Sequence, residues 1–202
     1  MRVVVASRNR HKLAEIGVLL ADAGLPWELI SIDEVAPGCV LTEDEPSFEG
    51  NALSKARQAA AASGLPALAD DSGIEVDALD GAPGVYSARW SGEPSDDARN
   101  NQKMLRELAG VATEKRTARY RCAAVFVDPA RGVEIVRTGA CEGRLLESAR
   151  GTGGFGYDPL FFIESLGHTM AEIDLAEKNR LSHRAVAFRQ LARALAELEL
   201  VR

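Results

Sequence analysis

Apolar and polar residues along the chain fall into blocks whose periods predict an α/β protein. Residues 2–6, with three consecutive valines after Arg2, read as a buried strand. The polar stretch Ser7-Arg8-Asn9-Arg10-His11-Lys12 follows. Leu13, Ile16, Leu19 and Leu20 then recur at helical spacing until Ala23-Gly24 and Pro26 end the pattern. A turn between strand and helix gathers backbone N–H groups at the positive helix end, where an anion can sit. Residues 27–32 read as a second strand, and 36–46 as a loop carrying the acidic run Glu43-Asp44-Glu45. Ser47 caps a predicted helix to about Ser63, built on Phe48, Ala52, Ala56 and the alanines at 59–62, and closed by Gly64 and Pro66. Asn51 and Lys55 lie one turn apart on it.

Residues 67–69 form a short apolar run that meets Asp70-Asp71-Ser72-Gly73. Read as a strand ending there, it delivers two aspartates to its carboxyl end, where open α/β sheets bind ligands. Side-chain alternation lets at most one of them point into a given cleft. No Lys or Arg neighbours the pair in sequence. A divalent cation such as Mg²⁺ or Mn²⁺ relieves such repulsion, and so does a solvated turn, since Asp, Ser and Gly are all turn formers. Residues 74–79 read as a further strand and 81–84 as a tight loop, whereas 86–92 fit no single element. Ser95-Asp96-Asp97 opens a helix to about Leu108. Residues 120–128 and 133–141 form a predicted hairpin, which makes the sheet mixed.

Gly151, Gly153, Gly154 and Gly156 exclude a helix or a packed strand interior over that stretch. Such backbone approaches a ligand closely, and Phe155 and Tyr157 supply rings for a flat one. Residues 160–163 resume a strand. Thr169 and Glu172 match a capping box, and Asp174 caps a short turn ending near Lys178. Ser182-His183-Arg184 opens the last helix, with Val186, Phe188, Leu191, Leu195 and Leu198 on its buried face. The helix dipole disfavours a His-Arg pair in a first turn, and a bound anion would account for it.

Composition narrows the function. The 202 residues suit a single domain, 1–202, with ordinary hydrophobic (46%) and charged (27%) fractions. A net charge of −6 argues against a broad nucleic-acid or anionic-membrane surface but leaves room for a local basic pocket. Cys39, Cys122 and Cys141 are odd in number and widely spaced, as expected of reduced thiols. The first apolar run is too short for a secretory leader, and no run approaches the ~20 residues of a membrane span. A soluble, cytoplasmic protein is expected. There is no P-loop, no Rossmann glycine pattern after the first strand, no Gly-x-Ser-x-Gly elbow and no His-Glu-x-x-His pair. What remains is a set of carboxylates (Glu43, Asp70, Asp71), cations (Lys12, Lys55, Lys178, His183, Arg184) and a glycine-aromatic loop. Acids to hold Mg²⁺, bases to hold phosphates and rings to hold a base describe a nucleotide polyphosphate site.

Six stretches in order make this specific: Ser7-x-Asn9-x-x-Lys12-x-x-Glu15, Phe48-x-x-Asn51-Ala52-x-x-Lys55-Ala56, Ala69-Asp70-Asp71-Ser72-Gly73, Gly81-x-Pro83-Gly84-x-Tyr86-Ser87-Ala88-Arg89, Gly153-Gly154-Phe155-Gly156-Tyr157-Asp158-Pro159 and Glu177-Lys178-x-x-x-Ser182-His183-Arg184. Together they resemble the inosine/xanthosine triphosphate pyrophosphatase family over about residues 3–195. The resemblance implies an elongated mixed β-sheet flanked by helices, two lobes with a central cleft, and a homodimer. It implies Mg²⁺-dependent hydrolysis of dITP, ITP and XTP to monophosphate and pyrophosphate, which removes deaminated purines from the nucleotide pool. By the same resemblance Asp71 is the catalytic base and, with Glu43, a metal ligand. Ser7, Arg8, Asn9, Arg10, His11 and Lys12 hold the phosphates, helped by Lys55. Ser72, Phe155, Gly156, Tyr157, Asp158, Lys178, His183 and Arg184 contact the substrate. Arg8 stands where the family commonly has Gly, and Gly50 where an acid often precedes the Asn.

Overall fold

The computed structural model describes residues 1–198, and Arg10 and His11 by their backbone alone. Seven strands form one sheet: β1 (Arg2–Val5), β2 (Glu28–Ser31), β3 (Ala67–Val76), β4 (Thr117–Asp128), β5 (Val133–Leu145), β6 (Phe161–Ile163) and β7 (His168–Thr169). Their order is β2-β1-β3-β4-β5-β6-β7. β1 runs parallel to β2 and β3, while β6 is antiparallel to β5 and β7, so the sheet is mixed as expected. The helices are α1 (Arg10–Asp22), α2 (Ile32–Val35), α3 (Phe48–Ser63), α4 (Asp97–Glu107), α5 (Leu175–Leu181) and α6 (His183–Glu197).

The helix ends follow from local chemistry. Asn9 Oδ1 accepts the Lys12 N–H at 3.2 Å at the start of α1. Ser47 Oγ accepts the Gly50 N–H at 3.1 Å at the start of α3, and Gly64, at φ 69°, closes that helix in the left-handed region. Asp96 and Asp174 cap α4 and α5 in the same manner.

The chain divides into two compact units. The first comprises Met1–Asp71, Cys122–Gly139 and the segment from His183 onward; the second comprises Ser72–Arg121 and Ala140–Ser182. In the first, Val3, Val5 and Leu68 pack with Ile16 and Leu20 of α1, Phe126 of β4, and Phe188, Leu191 and Leu195 of α6. Gly139 is required here: a Cβ would lie 2.3 Å from the His183 carbonyl oxygen and 2.5 Å from the Ala187 nitrogen, so β5 meets the start of α6 only without a side chain. In the second unit, Ile74, Met104, Leu108, Leu145, Leu160 and Met170 surround Tyr120 and Phe161, whose ring centroids are 4.5 Å apart.

Several expectations are corrected. β3 does not stop at Ala69; it runs through Asp70, Asp71, Ser72 and Gly73 to Val76 as one ten-residue strand. Two carboxylates are tolerated inside it because cations from distant helices meet them. Ile32 to Val35 form a short helix, held by a reciprocal Ser31–Glu34 capping box. The Thr169–Glu172 pattern gives a turn and no helix, although Glu172 does accept the Thr169 N–H at 2.7 Å. Part of the stretch at 86–92 lies in a 3₁₀ turn, Gly84–Arg89. On α6, Val186 is only half-buried and Leu198 is exposed.

Candidate active site

The two adjacent aspartates of β3 point to opposite faces of the strand, as its period of two requires. Asp70 Oδ2 lies 3.1 Å from Lys12 Nζ of α1 and accepts the Arg184 Nε–H of α6 at 3.2 Å. Arg184 Nη1 also donates to Glu15 Oε2 at 2.5 Å. Its side chain is 1% exposed. Burial alone would raise the Asp70 carboxyl, but Lys12, Arg184 and Lys55 outweigh it and hold the group well below the usual carboxylate range. Asp70 Oδ1 is buried and finds no hydrogen-bond partner among the described residues. The neighbouring Cys122 thiol is pushed up to about 12, chiefly by burial, which leaves it inert at neutral pH. The anion expected beside the first turn of α6 is thus supplied by the chain itself, as Asp70 and Glu15.

Asp71 turns toward α3. Asn51 Nδ2 donates to its Oδ2 at 3.1 Å, and Lys55 Nζ lies 3.5 Å from its Oδ1. The same ammonium donates to Glu43 Oε1 at 2.5 Å and to the Asp70 carbonyl oxygen at 2.8 Å. Burial opposes the charge on Lys55, but Asp71, Asp70 and Glu43 more than compensate and raise its pKa. The Asp71 carboxyl is itself raised: burial is the largest cause and Glu43 adds to it, against the pull of Lys55, Lys12 and the Asn51 hydrogen bond. A carboxylate raised in this way is a stronger proton acceptor than a free one.

The turn before α1 is tied up by its own side chains. Ser7 Oγ accepts the Asn9 N–H at 3.1 Å. Arg8 reaches across to Asp33 Oδ1 at 2.9 Å and the Cys39 carbonyl at 2.6 Å. The Arg10 and His11 side chains lie outside what the structure describes.

In the second unit, Asp158 is the organising group. Its Oδ2 accepts from Lys178 Nζ at 2.8 Å and from the Phe155 N–H at 3.0 Å, and its Oδ1 accepts from the Tyr120 hydroxyl at 3.0 Å. Gly154 makes this possible, since a Cβ there would fall 2.0 Å from Asp158 Oδ2. Lys178 Nζ sits 4.6 Å from the centre of the Phe155 ring, an arrangement favoured by the ring quadrupole. Asp97 and Asn101 of α4 fix the backbone of Gly156 at 2.6 and 2.8 Å. Tyr157 is a core residue rather than a surface ring: it is 3% exposed and its hydroxyl donates to the Ser87 carbonyl at 2.8 Å. Ser72 is half-buried on β3, and His183 is buried at the start of α6.

Sequence reasoning did not single out Tyr120, Asn101 or Asp97 as site residues, and nothing in their spacing marks them. Asn51 and Glu15 stood within recognised stretches without a role, and Asp70 was counted there only among the acids for Mg²⁺.

A seven-stranded mixed-sheet α/β protein with a lysine–carboxylate centre on one unit and a carboxylate–aromatic centre on the other defines the class. The chain belongs to the Ham1 family, which it matches over residues 3–194. It is 53% identical over 186 residues, 92% of each chain, to a dITP/XTP pyrophosphatase of Geobacter sulfurreducens. Among solved structures, it superposes on a HAM1 protein of Coxiella burnetii with a TM-score of 0.88 at 40% identity, over 98% of this chain and 99% of that one. The Staphylococcus aureus Ham1 protein gives the same TM-score at 35% identity, over 98% and 100%.

Proposed function

We propose that the protein hydrolyses dITP, ITP and XTP to the nucleoside monophosphate and pyrophosphate with Mg²⁺. The observation that carries this reading is the convergence of Glu43 and Asp71 on one ammonium, Lys55 Nζ, with the Asp71 carboxyl raised by burial. Among the described residues no group of three His, Cys, Asp or Glu side chains gathers for a metal. Two carboxylates nonetheless fit Mg²⁺, which keeps several waters and takes its remaining ligands from substrate phosphates. Glu43 and Asp71 would hold it, and when bound it supplies charge neutralisation on the phosphates and acidifies a coordinated water.

In the reaction the water oxygen bonds to phosphorus, the bridging P–O bond of the α–β anhydride breaks, and pyrophosphate leaves. Asp71 takes the proton of the water. Lys12 and Lys55 offset charge on the phosphates, and Ser7 to Lys12 line their approach. Phe155 and Lys178 offer a ring and a cation to the base. A 6-keto purine presents an acceptor where adenine presents an amine, so a donor such as Lys178, beside the Phe155 ring, would read the difference. The same reading makes the protein a cytoplasmic homodimer that clears deaminated purines from the nucleotide pool.

The test is product analysis with Mg²⁺ and ITP, XTP, ATP, GTP or dTTP in turn. The expected result is monophosphate and pyrophosphate from ITP and XTP, with the others nearly untouched. Orthophosphate and diphosphate would move cleavage to the terminal phosphate and remove the assignment.

A further inference from the structure

Both oxygens of Asp71 are held from one helix, by residues four apart on α3: Asn51 takes Oδ2 and Lys55 faces Oδ1. Lys55 has an evident role. Asn51 does not touch a phosphate or a base in the reading above, yet it is 1% exposed and bonded at both ends of its amide. Its Oδ1 accepts the Glu45 N–H at 2.9 Å, and its Nδ2 donates to Asp71 at 3.1 Å. An amide has one orientation that satisfies an N–H on one side and a carboxylate on the other; the flipped form would set oxygen against oxygen and N–H against N–H.

The loop that Asn51 holds is the one that carries Glu43. Gly50 keeps it close: a Cβ there would lie 2.8 Å from Glu45 Cβ and 3.0 Å from Ser47 Oγ. A side chain at position 50 would push the 43–45 segment off the first turn of α3. Glu43 is thereby left where its Oε1 meets Lys55 at 2.5 Å.

We propose that Asn51 is the positioning residue for the carboxylate pair, fixing Asp71 directly and Glu43 through the loop, with Gly50 as the space that lets the loop lie down. This rests on the reading that Asp71 and Glu43 are the working acids. Partners of this kind, one shell behind the reacting groups, set the direction of a carboxylate's lone pairs and the gap between two ligands.

The experiment compares Asn51→Ala, Asn51→Asp and Gly50→Ala with wild type by three readouts. These are steady-state ITP hydrolysis with Mg²⁺, titration with Mn²⁺ alone followed by loss of the free-ion EPR signal, and thermal unfolding. Asn51→Ala should lower kcat by ~30-fold and weaken Mn²⁺ binding by ~10-fold, with KM for ITP within about threefold. Asn51→Asp fills the same volume but turns a donor into an anion facing Asp71, so it should lose at least as much kcat as Asn51→Ala. A space-filling role predicts the reverse order. Gly50→Ala, which leaves Asn51 in place, should weaken Mn²⁺ binding and kcat by roughly threefold to tenfold, and it carries the test if either Asn51 variant fails to fold. Asn51→Asp with wild-type kcat and Mn²⁺ affinity overturns the proposal, as does a set of variants that differ from wild type only in melting temperature. A wild type that leaves ITP intact sinks the proposed function instead, while the Mn²⁺ titrations still decide the role of Asn51.

Discussion

In the first unit, partners are shared. Asp70 Oδ2 serves both Lys12 and Arg184, and Lys55 Nζ is divided among Glu43, Asp71 and the Asp70 carbonyl. Among the described residues Asp70 Oδ1 finds no hydrogen-bond partner, and neither does Asn101 Oδ1 of the second unit. In the second unit, the two oxygens of Asp158 are distributed over a lysine, a backbone N–H and a tyrosine hydroxyl, and Gly156 is gripped at both its N–H and its carbonyl. An ammonium divided among several acceptors, as Lys55 Nζ is, keeps its other partners when one of its N–H groups turns to a phosphate. Separate partners on each oxygen of Asp158, with Gly156 held at both ends, keep a loop in one shape. Under the proposed function the first arrangement would serve chemistry on a polyanion and the second recognition of a rigid base.

That contrast is broken most directly at Asp71. Replacing it by Asn keeps the volume and a hydrogen-bonding capacity but removes the proton acceptor, so kcat should fall ~10³-fold. Binding of ITP, measured by calorimetry, should stay within a few-fold of wild type. Equal losses in binding and turnover would mean that Asp71 holds substrate rather than activates water.

Next in size is Asp70→Asn, a change in stability more than in chemistry. It leaves Lys12 and Arg184 facing each other with one carboxylate fewer, in a site where breaking a buried pair costs about 3 kcal/mol. Urea unfolding measures this. Because the Asp70 carboxyl is held below its unfolded value, the stability it carries is complete above about pH 4 and is lost as pH falls through the folded value. The variant should therefore show a flatter dependence on acid than wild type. An unchanged acid limb would show that the Lys12–Asp70–Arg184 cluster contributes nothing to the fold.

The sequence disclosed the elements of the first unit well, because its periods are clean: valines for β1, a leucine stripe for α1, a serine cap and an alanine face for α3. It misled at β3. Two aspartates, a serine and a glycine read locally as a strand end. What keeps the strand going is tertiary, namely Lys12, Lys55 and Arg184, which lie 58, 15 and 114 positions from Asp70. No window of sequence holds those partners together. The burial of Tyr157 was hidden for a related reason: its setting among glycines offered a ring for a flat ligand, but the Ser87 carbonyl that takes its hydroxyl lies 70 positions away. Asn51 was legible as a position on a line with Lys55. Its task was not, because that depends on a backbone N–H at Glu45 and on the absence of a Cβ at Gly50.

The smallest expected effect sharpens the second unit's side of the contrast. Tyr120 gives its hydroxyl to Asp158 Oδ1 in a fully buried setting, where burial and the nearby Asp158 charge raise the phenol far above its ordinary pKa and keep it a donor. Tyr120→Phe removes one hydrogen bond to a charged acceptor while keeping the ring tilted against Phe161, so the cost should be ~1.5 kcal/mol in unfolding free energy. Lys178 and the Phe155 N–H still hold the other oxygen of Asp158, so the loop should persist with a looser carboxylate. The expected kinetic signature is a rise in KM for ITP with kcat preserved, since the proposed function assigns the activation of water to Asp71 of the other unit. A fall in kcat at constant KM would instead mean that Asp158 and its partners take part in the chemical step, and the division between a reacting unit and a recognising unit would fail.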